Sequence, residues 1–152
     1  MSDFIKLTIP WFLVILGWLV VHFFTIKREK EKRQFDELKD IQADLNDIFT
    51  ISINYHSGNE RNSTDEIRII SSLLFLEEKG DALFEILSHK GLKVDQKRWT
   101  RGIVFFRMAI TTNNFGGDFS NQAQDSDIIV NISKTHMEIV KLLLEINKIF
   151  YR

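Results

Sequence analysis

The feature that most constrains this chain is an uninterrupted apolar run near its amino end, residues 7–26, which reads LTIPWFLVILGWLVVHFFTI. None of these residues is Asp, Glu, Lys or Arg. A helix of this length is about 30 Å long, the thickness of the hydrocarbon core of a bilayer. Pro10 falls in the first turn, where its missing N–H is tolerated, and Trp11 lies near one end, as interfacial aromatic residues do. The run therefore predicts a transmembrane anchor at 1–26, followed by a second domain at 27–152.

The residues beside the apolar run indicate its orientation. The segment KREKEKR, residues 27–33, places five basic residues directly after the run, whereas only Lys6 precedes it. The positive-inside rule then puts the amino terminus outside and the rest of the chain in the cytoplasm. A core helix of a soluble domain would have a polar side, and a cleaved signal peptide would have a basic leader and a shorter apolar core. We therefore expect a retained single-pass anchor in a bacterial inner membrane.

The remaining chain has the length of one domain, and its charges are segregated. The net charge of the whole chain is −1, but residues 34–57 and 58–89 each sum to −4, while 27–33 sum to +3 and 90–107 to +5. There is no cysteine, which excludes a disulfide scaffold, a thiol nucleophile and a thiolate metal site.

Apolar residues that recur every three or four positions predict four helices after the anchor. The first continues from the span to about residue 56, although residues 51–55 alternate as a strand would. The predicted buried stripes are Phe35, Leu38, Ile41, Leu45 and Ile48 in the first helix, Ile69, Leu73, Leu76, Gly80, Leu83 and Leu87 in the second, Trp99, Ile103, Phe106 and Ile110 in the third, and Ile129, Ile132, His136, Ile139, Leu143, Ile146 and Phe150 in the fourth. The predicted fold class is all-α, with one amino-terminal transmembrane helix that continues into a cytoplasmic four-helix bundle.

Local signals mark the ends of these helices. Ser63 and Glu66 have the spacing of a capping box, and Asp95 is placed to cap the third helix. The stretch at 111–124 contains paired Asn and paired Gly, which tolerate positive φ, so we expect a loop with specific backbone demands.

Motifs of catalysis are missing from the sequence. There is no H-E-x-x-H and no repeated Glu-x-x-His pair, and the nearest match, Glu85 with His89, stands alone. No Gly-rich phosphate loop follows a strand, and no serine elbow is visible. We therefore predict a protein that is not an enzyme and that needs no metal and no cofactor.

The positive signal is the segment 90–107, KGLKVDQKRWTRGIVFFR, in which six basic residues stand against one acid. Arginine binds phosphate bidentately, and aromatic side chains can stack on a base. The candidate ligand-binding residues are Lys97, Arg98, Trp99, Arg101 and Phe105 on the third helix, with Asn113 and Asn114 in the loop that follows. The alternative is that these cations pair with the acidic helices while Trp99 and Phe106 lie in the core. Because the part after the anchor is slightly acidic overall, we expect no binding to duplex nucleic acid.

This layout of an outward-starting anchor, a helix that enters the cytoplasm and a compact domain with basic and aromatic residues resembles the membrane-bound effectors of type III CRISPR systems. The resemblance implies that a cyclic oligoadenylate binds a tetrameric cytoplasmic domain and disturbs the transmembrane helices. It concerns the layout and not a motif, so it transfers no site residue to this chain.

The predicted function is that of an oligomeric membrane effector of antiphage defence. Its cytoplasmic helical domain would bind an anionic ligand, a cyclic nucleotide second messenger, and would perturb the bilayer. The alternative is a non-catalytic anchored adaptor that recruits a protein partner to the inner membrane. A third reading is a single-pass subunit of a larger membrane complex.

Overall fold

A computed structural model describes residues 2–89, 91–92, 94–112, 114–123 and 126–150, with side chains from residue 11 onward except those of Asp118 and Phe150. Within these ranges every regular element is helical and no strand occurs, which confirms the all-α class. The elements are α1 (Ser2–Ser57), α2 (Ser63–His89), α3 (Gln96–Thr111), a 3-10 turn (Gly116–Asp118) and α4 (Asp127–Phe150). Residues 51–55 belong to α1, so they are helix and not strand.

The chain divides into two compact units, Met1–Asp36 and Glu37–Arg152. In the first unit, every side chain from Trp11 to Arg33 is exposed. Within the described residues, α1 is the helix that is long and apolar enough to cross a membrane, and none of its apolar window is buried inside the protein. The predicted anchor at 1–26 lies wholly within the first unit, and its boundary at residue 26 stays a prediction.

The second unit is built around one buried cluster to which α1, α2, α3 and α4 all contribute. The predicted stripe of α2 is confirmed at every position, because each of its six residues is buried. The same holds for the four stripe residues of α3. On α4, His136 is only half-buried, and its Nε2 lies 3.0 Å from Asn46 Oδ1 on α1. The periodicity of the sequence therefore identified the inward sides of α2 and α3 correctly, whereas the Phe150 side chain at the end of the α4 stripe lies outside the described part of the chain.

Helices α2 and α3 are in tight contact where Trp99 meets Gly80. The Trp99 indole is fully buried and stacks on Phe84, with ring centroids 5.2 Å apart. A Cβ atom at residue 80 would overlap the indole ring, so glycine is required there by space rather than by backbone angle. The small residue costs about 1 kcal/mol of helix propensity, and the room it leaves is filled by the largest side chain of the core.

Helix caps and the loop were predicted in part. Asp95 caps α3, since its Oδ1 accepts the Arg98 amide at 2.9 Å. The prediction that Ser63 caps α2 is wrong by one residue, because the Asn62 side chain accepts the amide of Thr64 at 3.0 Å. In the loop after α3, Asn114 and Gly116 have φ values of 58° and 72°, which confirms the expected positive φ.

Replacement of Gly80 by alanine should destabilise the second unit. The new methyl group must displace the Trp99 indole, and overpacking of this kind costs about 1–3 kcal/mol, which exceeds the gain of about 1 kcal/mol in helix propensity. Thermal unfolding of the full chain, followed by circular dichroism, should show a lower midpoint for Gly80→Ala. Gly117→Ala is the matched control, because a Cβ atom there meets nothing within 4 Å. Equal midpoints for the two variants would contradict the proposed close contact.

Candidate functional site

Helix α3 presents two opposite sides because its apolar residues recur at two phases. One side packs inward through Trp99, Ile103, Phe106 and Ile110. The other side, which we name the α3 outer face, consists of exposed residues spaced three or four apart: Lys97, Arg101, Phe105 and Met108. Residues at this spacing are neighbours on a helix surface, with Cβ atoms about 5–6 Å apart.

Three of the predicted ligand-binding residues lie together on this face. Lys97 and Arg101 are exposed and form no ion pair with a carboxylate in the described part of the chain. Phe105, one turn further on, is 49% exposed, which is unusual for so large an apolar side chain. The face therefore combines two available cations with one accessible aromatic ring.

Arg98 is adjacent in sequence but differently engaged. Its guanidinium donates to both carboxylate oxygens of Glu145 on α4, with nitrogen-to-oxygen distances of 2.6 and 3.3 Å. The hydrogen bond to Glu145 raises the pKa of Arg98. The pair is about half exposed, so it orders the side chains more than it stabilises the fold. An anion that binds at Arg98 would have to compete with this carboxylate.

Trp99 does not take part in the outer face, which corrects the prediction that it could stack on a ligand. Its side chain is fully buried, with Phe84 stacked on the indole and Gly80 beside it. The indole Nε1 is buried without a hydrogen-bond acceptor among the described residues. The alternative given above, with Trp99 and Phe106 in the core, describes the observed packing.

The two predicted asparagines are not part of the face either. Asn113 lies outside the described residues. Asn114 is buried, and its side-chain amide bonds to the backbone of Ser120 in both directions, as donor and as acceptor. Its polar atoms therefore hold the loop in shape and are not directed at the α3 outer face.

A groove of about 720 Å³ runs between α3 and α4 beside this face. Its α3 side is formed by Phe105, Met108 and Thr112, and its α4 side includes Lys134 and two carboxylates: Asp127 and Glu138. The helical repeat of the sequence predicts the residues on the α3 side of this groove. The residues on the α4 side could not be predicted, because no local pattern indicates which helix lies next to α3.

A second polar cluster joins the end of α1 to the start of α2. Glu66 accepts hydrogen bonds from Arg61 at 2.7 and 2.9 Å and from the Tyr55 hydroxyl at 2.7 Å. The Arg61 bonds hold the pKa of Glu66 at about 2 despite its burial. The Tyr55 hydroxyl in turn accepts the amide of Gly116 at 3.1 Å. This cluster is fully paired, so it connects α1, α2 and the loop and offers little to a ligand.

His56 is a buried titratable group in the core of the second unit. It is 0% exposed, and its Nε2 lies 3.0 Å from the carbonyl oxygen of Ile110. That contact requires a proton on Nε2, which leaves Nδ1 as the unprotonated nitrogen. Nδ1 is buried with no partner among the described residues, so a second proton would have no acceptor. Burial accordingly lowers the pKa of His56.

No group of three or more His, Asp or Glu side chains that could hold a metal ion lies together in the described ranges. Comparisons with protein-family models, with curated proteins and with solved structures find no match to this chain. The candidate site therefore rests on the geometry of the α3 outer face.

Mild acid should destabilise the second unit through His56. Its pKa is lower in the folded chain than the ordinary value of about 6.5, so below that pH the unfolded chain binds a proton that the folded chain does not. The free energy of unfolding should therefore decrease by up to about 1.4 kcal/mol for each pH unit below about 6.5.

The measurement is thermal unfolding of the full chain between pH 7.5 and pH 5.5. His56→Gln keeps a donor for Ile110 and removes the titrating group, so its pH dependence should be smaller. His89→Gln is the control, because that side chain is 81% exposed and should leave the dependence unchanged. The same pH dependence in both variants would rule out His56 as its source.

Proposed function

We propose that this chain is a non-catalytic membrane effector whose second unit binds an anionic ligand on the α3 outer face. The observation that supports this most directly is the placement of Lys97, Arg101 and Phe105 at successive turns of one exposed helix side. Arg101 can hold a phosphate bidentately, Lys97 adds a point charge, and Phe105 offers a ring for a base.

The surroundings of the face favour a small ligand over a long polyanion. Glu145 forms an ion pair with Arg98, and Asp127 and Glu138 line the adjacent groove. These carboxylates would repel a nucleic acid duplex that covered the whole side of the molecule. A compact anion with few phosphates, such as a cyclic oligonucleotide second messenger, could contact Lys97 and Arg101 and avoid the acidic rim.

The apolar part of α1 supports anchoring in a bilayer. Its large side chains are exposed, Trp11 and Phe23 each at 68%, and in water they would form an extensive apolar surface. The proposed orientation, with the second unit in the cytoplasm, follows the basic segment at 27–33. One span cannot enclose a pore, so an effect on the membrane would require several copies. Ligand control would further require that the two arrangements of the copies bind the ligand with different affinities.

A second candidate function is that of an anchored adaptor, and one observation favours it. Helix α2 exposes large apolar side chains along its amino-terminal half, with Ile67 at 70%, Leu74 at 56% and Phe75 at 57%. Clustered exposed apolar side chains are typical of surfaces that bind another protein. In this case the partner would dock on α2, and the α3 outer face would be a solvated helix side.

Reversal of charge on the α3 outer face should abolish ligand binding without unfolding the chain. Calorimetry of the full chain in detergent with a panel of cyclic oligoadenylates and cyclic dinucleotides should give binding heat with at least one compound. The double variant Lys97→Glu with Arg101→Glu should bind at least tenfold more weakly, because each lost charged hydrogen bond contributes about 1.5–3 kcal/mol.

Arg68→Glu provides the matched control, since Arg68 is an exposed cation on α2 away from this face. It should bind like the natural chain, and all three proteins should show the same circular dichroism. If no compound of the panel gives heat with the natural chain, the ligand-binding function is wrong.

The two candidate functions predict different behaviour in cells. Under the effector function, expression together with an enzyme that makes the ligand should arrest growth, and removal of residues 1–26 should relieve the arrest. Leu74→Glu should leave that arrest intact, because the ligand does not contact α2. If Leu74→Glu relieves the arrest and the Lys97→Glu, Arg101→Glu variant does not, the adaptor function is correct.

A further inference from the structure

Two exposed helix sides in the second unit have matching spacing and opposite charge. On α1, the side opposite its buried stripe is acidic, and we name it the acidic face: Asp40, Ala43, Asp47, Thr50 and Asn54. On α4, the side opposite its buried stripe carries lysines and apolar residues, and we name it the lysine face: Lys134, Met137, Lys141, Leu144 and Lys148. The exposed Glu138 lies at the edge of this face, beside Lys134, Met137 and Lys141. In both faces the residues follow one another at intervals of three and four.

The charged residues of both faces form no ion pair among the residues that the structure describes. Neither Asp40 nor Asp47 forms an ion pair in the part of the chain that the structure describes, and the same holds for the three lysines of the lysine face. Met137 and Leu144 are 56% and 45% exposed between those lysines. Apolar residues at intervals of seven on an outward side are not needed for the core, which α4 already serves through its opposite stripe.

The two faces complement each other position by position. Intervals of three and four are those of a helix pair that packs through one seam. When the two faces are aligned at their centres, Asp47 meets Lys141 whether the helices run parallel or antiparallel. Asp40 and Asn54 then meet the two outer lysines. The small side chains of Ala43 and Thr50 meet Met137 and Leu144, which leaves room for the larger apolar groups.

We propose that copies of this chain associate head to tail, with the acidic face of one copy packed against the lysine face of the next. Neither face can pair with itself, because that would place aspartate against aspartate or lysine against lysine. The contact is therefore heterologous, and each copy uses both faces to bind two neighbours. Such contacts produce closed rings or open chains, not isolated twofold dimers.

The contact between the two faces is small, so we expect it to form between copies that are anchored in the same membrane. From Asp40 to Asn54 the face is about 21 Å long, and one helix pair of this length buries less than the roughly 800 Å² per partner of a stable interface. Copies anchored in one bilayer meet at a much higher effective concentration than free copies. The inference thus rests on the anchoring and self-association in the proposed function and not on the ligand of the α3 outer face.

The first test uses the absence of cysteine in the chain. Full-length Asp47→Cys and Lys141→Cys, carrying tags of different size, are reconstituted into vesicles separately and together, and then oxidised. The mixture should give a disulfide-linked pair of the two tagged chains, and neither variant alone should cross-link efficiently. Efficient cross-linking of Asp47→Cys with itself, or none in the mixture, would overturn the head-to-tail contact.

The second test exchanges the central charges. Energy transfer between donor-labelled and acceptor-labelled full chains in vesicles reports association. Asp47→Lys and Lys141→Asp should each weaken it by roughly fivefold or more, and the two changes in one chain should restore it. Glu78→Lys, at an exposed acid on α2, should have no effect. Association of the natural chain should also weaken as salt is raised, because the pair is exposed.

The pattern of effects identifies another occupant if the inference is wrong. If Lys141→Asp weakens association and the added Asp47→Lys does not restore it, the lysine face binds lipid headgroups or another protein, and the copy-to-copy contact is refuted. Calorimetry with the cyclic oligonucleotides reports on the α3 outer face separately. A chain that binds ligand but shows no cross-link between positions 47 and 141 would refute this contact and leave the ligand site standing.

Discussion

The packing of Trp99 against Gly80 and Phe84 is the interaction on which the rest of the second unit depends. The Trp99 indole fills the space that Gly80 leaves on α2, and this contact fixes the rotation of α3 about its own axis. With Trp99 inward, Lys97, Arg101 and Phe105 have to point outward, since they lie on the opposite side of the same helix. The tryptophan thus creates the candidate ligand face although it contacts no part of it.

The acidic and basic residues of the second unit are sorted between its helices, which the net charge of −1 for the whole chain conceals. Some of these charges are paired across helices, as Lys79 is with Asp44 at 2.6 Å and Arg107 with Glu77 at 3.0 Å. Such pairs are partly exposed and contribute little to stability. Among the described residues, charges that form no ion pair, such as Lys97, Arg101 and Asp47, lie on outward helix sides, where another molecule can reach them.

Some of the buried polar groups have a different role, because they connect elements that are distant in sequence. Tyr55 on α1 bonds to Glu66 on α2 and to Gly116 in the loop, and His56 contacts the carbonyl of Ile110 on α3. Because an unpaired polar atom in the core is costly, these bonds favour the one arrangement of the helix ends in which they form. They fix how the helix ends meet and leave recognition to the exposed faces.

Local sequence signals determined the helical class, the inward stripes, the Asp95 cap and the loop with positive φ. These are local properties, governed by the 3.6-residue repeat and by backbone sterics. The sequence could not determine that Arg98 is bound to Glu145 or that Asn114 is consumed by its own loop. Each of those depends on a residue that becomes a neighbour only after folding, and composition is the same whether a side chain points inward or outward. The tertiary structure therefore decided which cations and aromatic rings are available to a partner.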